Sequence, residues 1–193
     1  FPGGRHNPKF KAEYLCEIVR DAEDMVIPEF DEDAEKDIVK ECETPRFYDI
    51  YLSMDIGGKD FTVVLFAYYD FINNNVVVID ELVLRERQNS KTIAVMVKKK
   101  LEELFGEKQP YLMWADNNNV ILLNDLQMYH GLNFIPTRKD NKAAAINQVR
   151  VKILNREMVI NPRCKTLIYH LKNANWKKSA RTQGYREFAK GAD

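Results

Sequence analysis

Three stretches of the chain carry apolar residues in a strand-like pattern: Tyr48 to Ile56, Phe61 to Tyr69 and Val76 to Leu84, each rich in β-branched and aromatic residues. Gly57-Gly58-Lys59-Asp60 and Asp70-Phe71-Ile72-Asn73-Asn74-Asn75 supply turn residues between them. The spacing therefore predicts a three-stranded antiparallel meander. The period then lengthens. Ile93, Val97, Leu101 and Leu104 fall on one face of a helix that Ser90 would cap and Gly106 would close. Tyr111 to Ala115 reads as a short buried strand, Val120 to Tyr129 as a helix closed by Gly131, and Leu132 to Ile135 as another strand. Such alternation of strand and helix marks a parallel arrangement. A helix over 139–154 with Ala145, Ile146, Val149 and Ile153 inward, a short extended piece in Met158-Val159-Ile160-Asn161-Pro162, and a helix from Cys164 to Asn173 complete the pattern.

Two aspartates stand at the ends of strand-like runs: Asp55 in YLSMDIGGKDFTVV and Asp116 in YLMWADNNN. If the first and fourth strands are neighbours, the two carboxylates meet at one point, because equivalent positions on adjacent strands lie within a few ångströms. Two anions that close raise one another's pKa or recruit a hard cation such as Mg²⁺. Taken singly, each has an ordinary reading: Asp55 opens the Gly57-Gly58 turn, and Asp116 caps a helix starting near Asn118 or Asn119. Glu81, near the end of the third strand, is a weaker candidate for an outer carboxylate, against its reading as a solvated strand residue.

Charge changes the picture more than composition does. The 193 residues have a formal net charge of zero, yet residues 1–45 carry 13 acidic against 6 basic residues, and residues 136–193 carry 14 basic against 4 acidic. A basic face drawn from Arg138, Lys139, Lys142, Arg150, Lys152, Lys177, Lys178 and Arg181 would attract a phosphate backbone. Trp176 and Tyr185, set among these cations, read either as an element lying over a bound polymer or, for Trp176, as an anchor for the tail. Cys16, Cys42 and Cys164 are odd in number and widely spaced, which argues against a disulfide framework and a zinc site and suits a reducing compartment. His6, His130 and His170 are scattered, and His170 reads as a helix residue. No run is apolar enough to span a membrane, and no signal peptide is visible. The chain opens on Phe1 and FPGGRHNP, a start expected of a piece of a longer protein. The acidic stretch 31–45 ends at Pro45, so 1–45 is expected to be a connector and 46–193 the compact domain.

Three antiparallel strands followed by two helix-linked strands, with the first and fourth adjacent, is the ribonuclease H-like arrangement. The expected fold is thus α/β, a mixed five-stranded sheet of the RuvC and retroviral-integrase type flanked by helices. Beyond topology, AEYLCEIV, MVIPEF, MDIGGKDFTVV, VVVIDELVLRE, WADNNN and TRKDNKAAAINQVRVKILNREMVINPRCKTLIYHL resemble, in this order and over nearly the whole chain, the nuclease domain of the large terminase subunit of tailed bacteriophages. The resemblance implies an endonuclease that cuts concatemeric viral DNA during packaging with low sequence specificity. It further implies two Mg²⁺ or Mn²⁺ ions, Asp55 bridging both, Asp116 binding one, and a third acidic ligand that is either Asp193 or lies beyond it. Lys139, Lys142, Arg150, Lys177, Lys178 and Arg181 would then meet the DNA. The implied setting is the host cytoplasm during virus assembly, without secretion. The implied partners are double-stranded DNA, an ATPase domain, a portal and a small terminase subunit, with no membrane. No GxxxxGK[ST] phosphate loop occurs in the chain. Two other readings compete. Asp55-Ile56-Gly57-Gly58-Lys59 is similar to the phosphate loop of actin-like ATPases and sugar kinases, although Lys59 replaces the usual Thr or Ser. A noncatalytic DNA- or portal-binding module is the second.

Overall fold

The computed structural model describes residues 24–44, 47–57, 61–86, 88–138 and 140–176. Within them the chain forms α1 (Glu32–Ile38), β1 (Ile50–Asp55), β2 (Thr62–Asp70), β3 (Asn75–Leu84), α2 (Ser90–Phe105), β4 (Leu112–Ala115), α3 (Val120–His130), β5 (Ile135–Pro136), α4 (Lys142–Leu154), β6 (Met158–Ile160) and α5 (Lys165–Asn173). One mixed sheet of six strands results, in the order β5-β4-β1-β2-β3-β6. The meander β1-β2-β3 is antiparallel, while β4 joins β1, β5 joins β4 and β6 joins β3 in parallel. This is the ribonuclease H-like sheet with one strand more than the sequence pattern suggested. Met158–Ile160 pairs through Val76, Val77 and Val78, a contact between residues so distant in sequence that local pattern carries no sign of it.

Strand alternation sorts residues onto two faces. One face carries Ile50, Leu52 and Met54 of β1 with Val64 and Phe66 of β2, all at most 2% exposed. It packs against Ile93, Val97 and Leu101 of α2 and Leu123 and Leu126 of α3, and this is the larger hydrophobic cluster. Asn89 rather than Ser90 caps α2, its side chain accepting the Thr92 N–H at 2.8 Å. Gly131 closes α3 with φ +68°, where any side chain strains the backbone.

The second cluster lies on the opposite face, beneath α1, α4 and α5. Val78, Ile160, Ile153 and Leu171 meet Val26, Ile27, Phe30, Ala34 and Ile38 there. Val26 to Val39 are therefore packed against the sheet, ahead of the boundary expected at Pro45. Acidic residues fasten the segment further: Glu29 pairs with Arg150, Asp37 with Arg156 and Glu35 with Lys172. The acidic head and the basic tail of the sequence neutralise each other here. Ala145, expected inward, is exposed, because only the C-terminal half of α4 lies on the sheet, with Ile153 fully buried.

Candidate functional site

The parallel register of β1 and β4 sets Tyr51 opposite Leu112, Leu52 opposite Met113, Ser53 opposite Trp114 and Met54 opposite Ala115. The ladder continues one step, since the Asp116 N–H donates to the Met54 carbonyl at 3.0 Å. Asp55 and Asp116 therefore occupy the next pair of positions, at the carboxyl ends of adjacent parallel strands and on the same face. Strands in a sheet run about 4.8 Å apart, so both carboxylates serve one small volume. Asp55 is exposed and Asp116 half-buried, with its Oδ1 fully shielded from solvent.

The ordinary reading of Asp116 as a helix cap does not hold. Asn119 caps α3, its Oδ1 accepting the Leu122 N–H at 3.1 Å. The turn after Asp55, Gly58 to Asp60, falls outside the described residues. Beyond Asp116 the sheet edge continues through Thr137, whose N–H and hydroxyl both donate to the Ala115 carbonyl, at 2.8 Å and 3.1 Å. Arg138 and Lys142 follow on the segment that leaves β5, and both are exposed. Two hard oxygen donors side by side, one shielded and one open to solvent, suit a divalent cation such as Mg²⁺ or Mn²⁺. Among the described residues no group of three acidic, His or Cys side chains gathers in metal-binding fashion. Asp193 falls outside them, as do Lys139, Lys177, Lys178, Arg181 and Tyr185.

Other expectations meet different partners. Arg150 donates from Nε to Glu29 Oε2 at 2.8 Å and from Nη2 to Oε1, which holds the Glu29 carboxyl below its usual range through the Arg150 hydrogen bonds. Its guanidinium is thus engaged within the protein and is not a ready phosphate contact. Lys152 is likewise bound to Glu157 at 2.7 Å. Glu81 is neither a solvated residue nor an outer carboxylate of the pair. Its two oxygens accept the N–H groups of Thr166 at 2.6 Å and Leu167 at 2.8 Å, capping α5 where Cys164 offers no side-chain cap. Trp176 packs on the second cluster, with its backbone N–H donating to the Asp24 carbonyl at 2.8 Å, which is the anchoring role.

Sequence reasoning missed Asp80, which is 5% exposed and bridged by Lys100 at 2.8 Å and Arg163 at 3.6 Å. It stands at an irregularity of the β2–β3 register, where Phe66 faces Asp80 but Ala67 faces Val78, and no sequence pattern signals that shift. It lies on β3, away from the β1–β4 end.

The fold can be placed among known structures. The large terminase of a thermophilic bacteriophage is similar with a TM-score of 0.75 at 16% identity, over 87% of this chain and 42% of that one. This chain has the fold of the phage large-terminase nuclease. The nuclease domain of the g2p large terminase from bacteriophage SPP1, solved with bound Mn, matches with a TM-score of 0.55 at 24% identity, over 72% of this chain and 78% of that one. The large terminase nuclease from thermophilic phage G20c, solved with bound magnesium, gives 0.61 at 17% identity, covering 90% of this chain and 92% of that one. Against the isolated nucleases the likeness spans most of both chains, whereas this chain corresponds to 42% of the longer terminase first named. No protein-family model and no curated protein matches the sequence.

Proposed function

We propose that this chain is the nuclease part of a phage DNA-packaging terminase, a metal-dependent endonuclease acting on double-stranded viral DNA with low sequence specificity. The observation that carries the reading is the register that sets Asp55 beside Asp116 at the carboxyl end of two adjacent parallel strands. Support comes from the fold, shared with terminase nucleases of which the SPP1 domain was solved with Mn and the G20c one with magnesium.

In this reading Asp55 and Asp116 would hold Mg²⁺ or Mn²⁺, with Asp193 as a further acidic ligand. When bound, such ions activate the attacking water and stabilise the leaving oxygen of the phosphodiester. The protein's own part is to fix both carboxylates on rigid strands, with Asp116 held in place by its backbone bond to Met54. Arg138 and Lys142 draw the phosphate backbone to the same edge, and Lys139, Lys177, Lys178 and Arg181 are assigned to the same task. Contact through phosphates rather than base edges gives binding without sequence preference. The ATPase domain, portal and small terminase subunit are the partners of the whole protein, and the host cytoplasm is its place of action.

The test is conversion of supercoiled plasmid to nicked and linear forms with Mg²⁺, Mn²⁺ or EDTA. Cutting that needs metal and disappears in Asp55→Ala and Asp116→Ala establishes the nuclease. Unchanged cutting in both variants sinks it. An intact plasmid that the protein nonetheless binds would replace it with the noncatalytic module, and nucleotide binding with the kinase-like reading.

A further inference from the structure

The sheet face that carries Asp55 and Asp116 is used unevenly. Over β2, β3 and β6 it is covered by the second hydrophobic cluster, but over β1 and β4 it carries Tyr51, Ser53, Leu112 and Trp114, which among the described residues belong to neither cluster. Ser53 is exposed and Tyr51, Leu112 and Trp114 are half-buried. Their arrangement is ordered. The Tyr51 and Trp114 rings stack with centroids 5.7 Å apart and planes 5° from parallel, and Tyr111, 63% exposed, meets Tyr51 edge-on at 5.9 Å. Burial pushes the Tyr51 phenol up, so the column is uncharged at neutral pH.

Position gives the column its meaning. Trp114 precedes Asp116 by two residues and Tyr51 precedes Asp55 by four, which puts the rings roughly 7 Å and 13 Å along the strands from the carboxylates. At duplex spacing these are about two and four nucleotides of one DNA strand. The bases of an intact duplex already stack on each other, so a protein ring at that distance finds a partner only where bases are unpaired. Arg138 and Lys142, exposed at the same end of the sheet, supply the complementary charge for the phosphates of such a strand.

Resting on the nuclease reading above, we infer that the Tyr51–Trp114 column is a base-stacking platform that receives unpaired nucleotides of the strand being cut. The substrate it favours is DNA with locally separated strands, in preference to a fully paired duplex.

Two measurements on the full chain decide this. Fluorescence anisotropy of a labelled 12-nucleotide oligo-dT in EDTA reads the platform without cutting, and cleavage of a bubble-containing duplex against its fully paired counterpart reads the preference. Trp114→Leu and Tyr51→Leu should each weaken oligo-dT binding roughly tenfold, within the range measured for base–aromatic stacking, and remove the preference for the bubble. Trp114→Phe should restore both, and Tyr111→Ala, at an exposed position, guards against a misfolded Trp114 variant by giving a smaller loss in a stable protein. Wild-type oligo-dT binding in Trp114→Leu and Tyr51→Leu, or equal cutting of bubble and duplex by the wild type, overturns the platform. So does a large fall in melting temperature that Trp114→Phe leaves unrepaired, which would make this face a seat for another protein segment. Plasmid cutting that depends on Asp55 is read separately, so loss of the platform leaves the nuclease standing, whereas ring-dependent oligo-dT binding without any cutting keeps a stacking surface but overturns its place in the cutting reaction.

Discussion

One sheet face is built in two different ways in this molecule, and its two halves differ sharply. Over β2, β3 and β6 its residues are aliphatic and sealed: Val78 and Ile160 lie under α1, α4 and α5 with Phe30, Ile38 and Ile153. Over β1 and β4 the same face holds two carboxylates, a serine and stacked rings left outside both cores. The sealed half stabilises by removing apolar surface from water, at about 25 cal/mol per Å². The open half leaves out that contribution and, on the nuclease reading, keeps Asp55 where solvent and a cation can reach it beside the more shielded Asp116. Active sites commonly set stability aside for function in this way.

The sharpest way to break the comparison is to measure each half by the property expected of the other. Asp55→Asn should abolish cutting, by at least about a thousandfold, while leaving the urea midpoint unchanged or raised, because it relieves repulsion between adjacent carboxylates. Ile160→Ala, at a position 0% exposed, should do the reverse, costing about 2–5 kcal/mol in urea unfolding with little change in cutting per folded molecule. A strongly destabilised Asp55→Asn would show that the open half bears weight after all.

Glu81 sharpens the same contrast at smaller scale, since a carboxylate on the sealed half serves structure alone. Glu81→Ala removes two charge-assisted hydrogen bonds from the start of α5 and should cost about 1–3 kcal/mol. Its cutting should match the wild type once the folded fraction is equalised, and a loss comparable to that of Asp55→Asn would return Glu81 to the metal site.

The basic residues divide along the same line. Arg138→Ala should weaken DNA binding and lower the slope of log K against log salt by roughly one. Arg150→Ala should leave that slope alone, because its guanidinium already faces Glu29. Equal slopes in the two variants would mean that the Arg150–Glu29 pair opens on DNA.

Much of this arrangement was legible in the residues. The meander and the helix Val120 to Tyr129 with its glycine stop follow from local period and turn chemistry, the neighbouring of the first and fourth strands from the ribonuclease H-like order of elements, and the structure has all three. What was illegible rests on long-range pairing. Residues 1–45 read as a connector, yet within their charge-rich end Ala34 and Ile38 recur at the i, i+4 spacing of a short helix and bury completely. Arg150 read as a DNA contact because its partner Glu29 lies 121 residues away. Glu81 could not be seen as a cap without knowing that α5 begins beside β3. The sixth strand, β6, is three residues long and acquires its identity only from Val76 to Val78.

The smallest effect tests whether the connector is held by charge as well as by its apolar side chains. Glu29 has its pKa lowered from the ordinary 4.5, chiefly by hydrogen bonds from Arg150. A carboxylate with a depressed folded-state pKa contributes stability that is fully present above its unfolded value and lost as pH falls through the folded one. The Arg150 charge does not change in this range, so the window is set by Glu29 alone. The stability difference between wild type and Arg150→Ala should therefore be flat from neutral pH down to about 5.5 and shrink steadily below about 4.5. Because the pair is only partly shielded, the plateau should be no more than about 1 kcal/mol. Urea midpoints of both proteins across that range make the measurement. A difference that persists at about pH 3 would mean that Arg150 holds the connector through its aliphatic stem, and the sealed half would then owe its closure to packing alone.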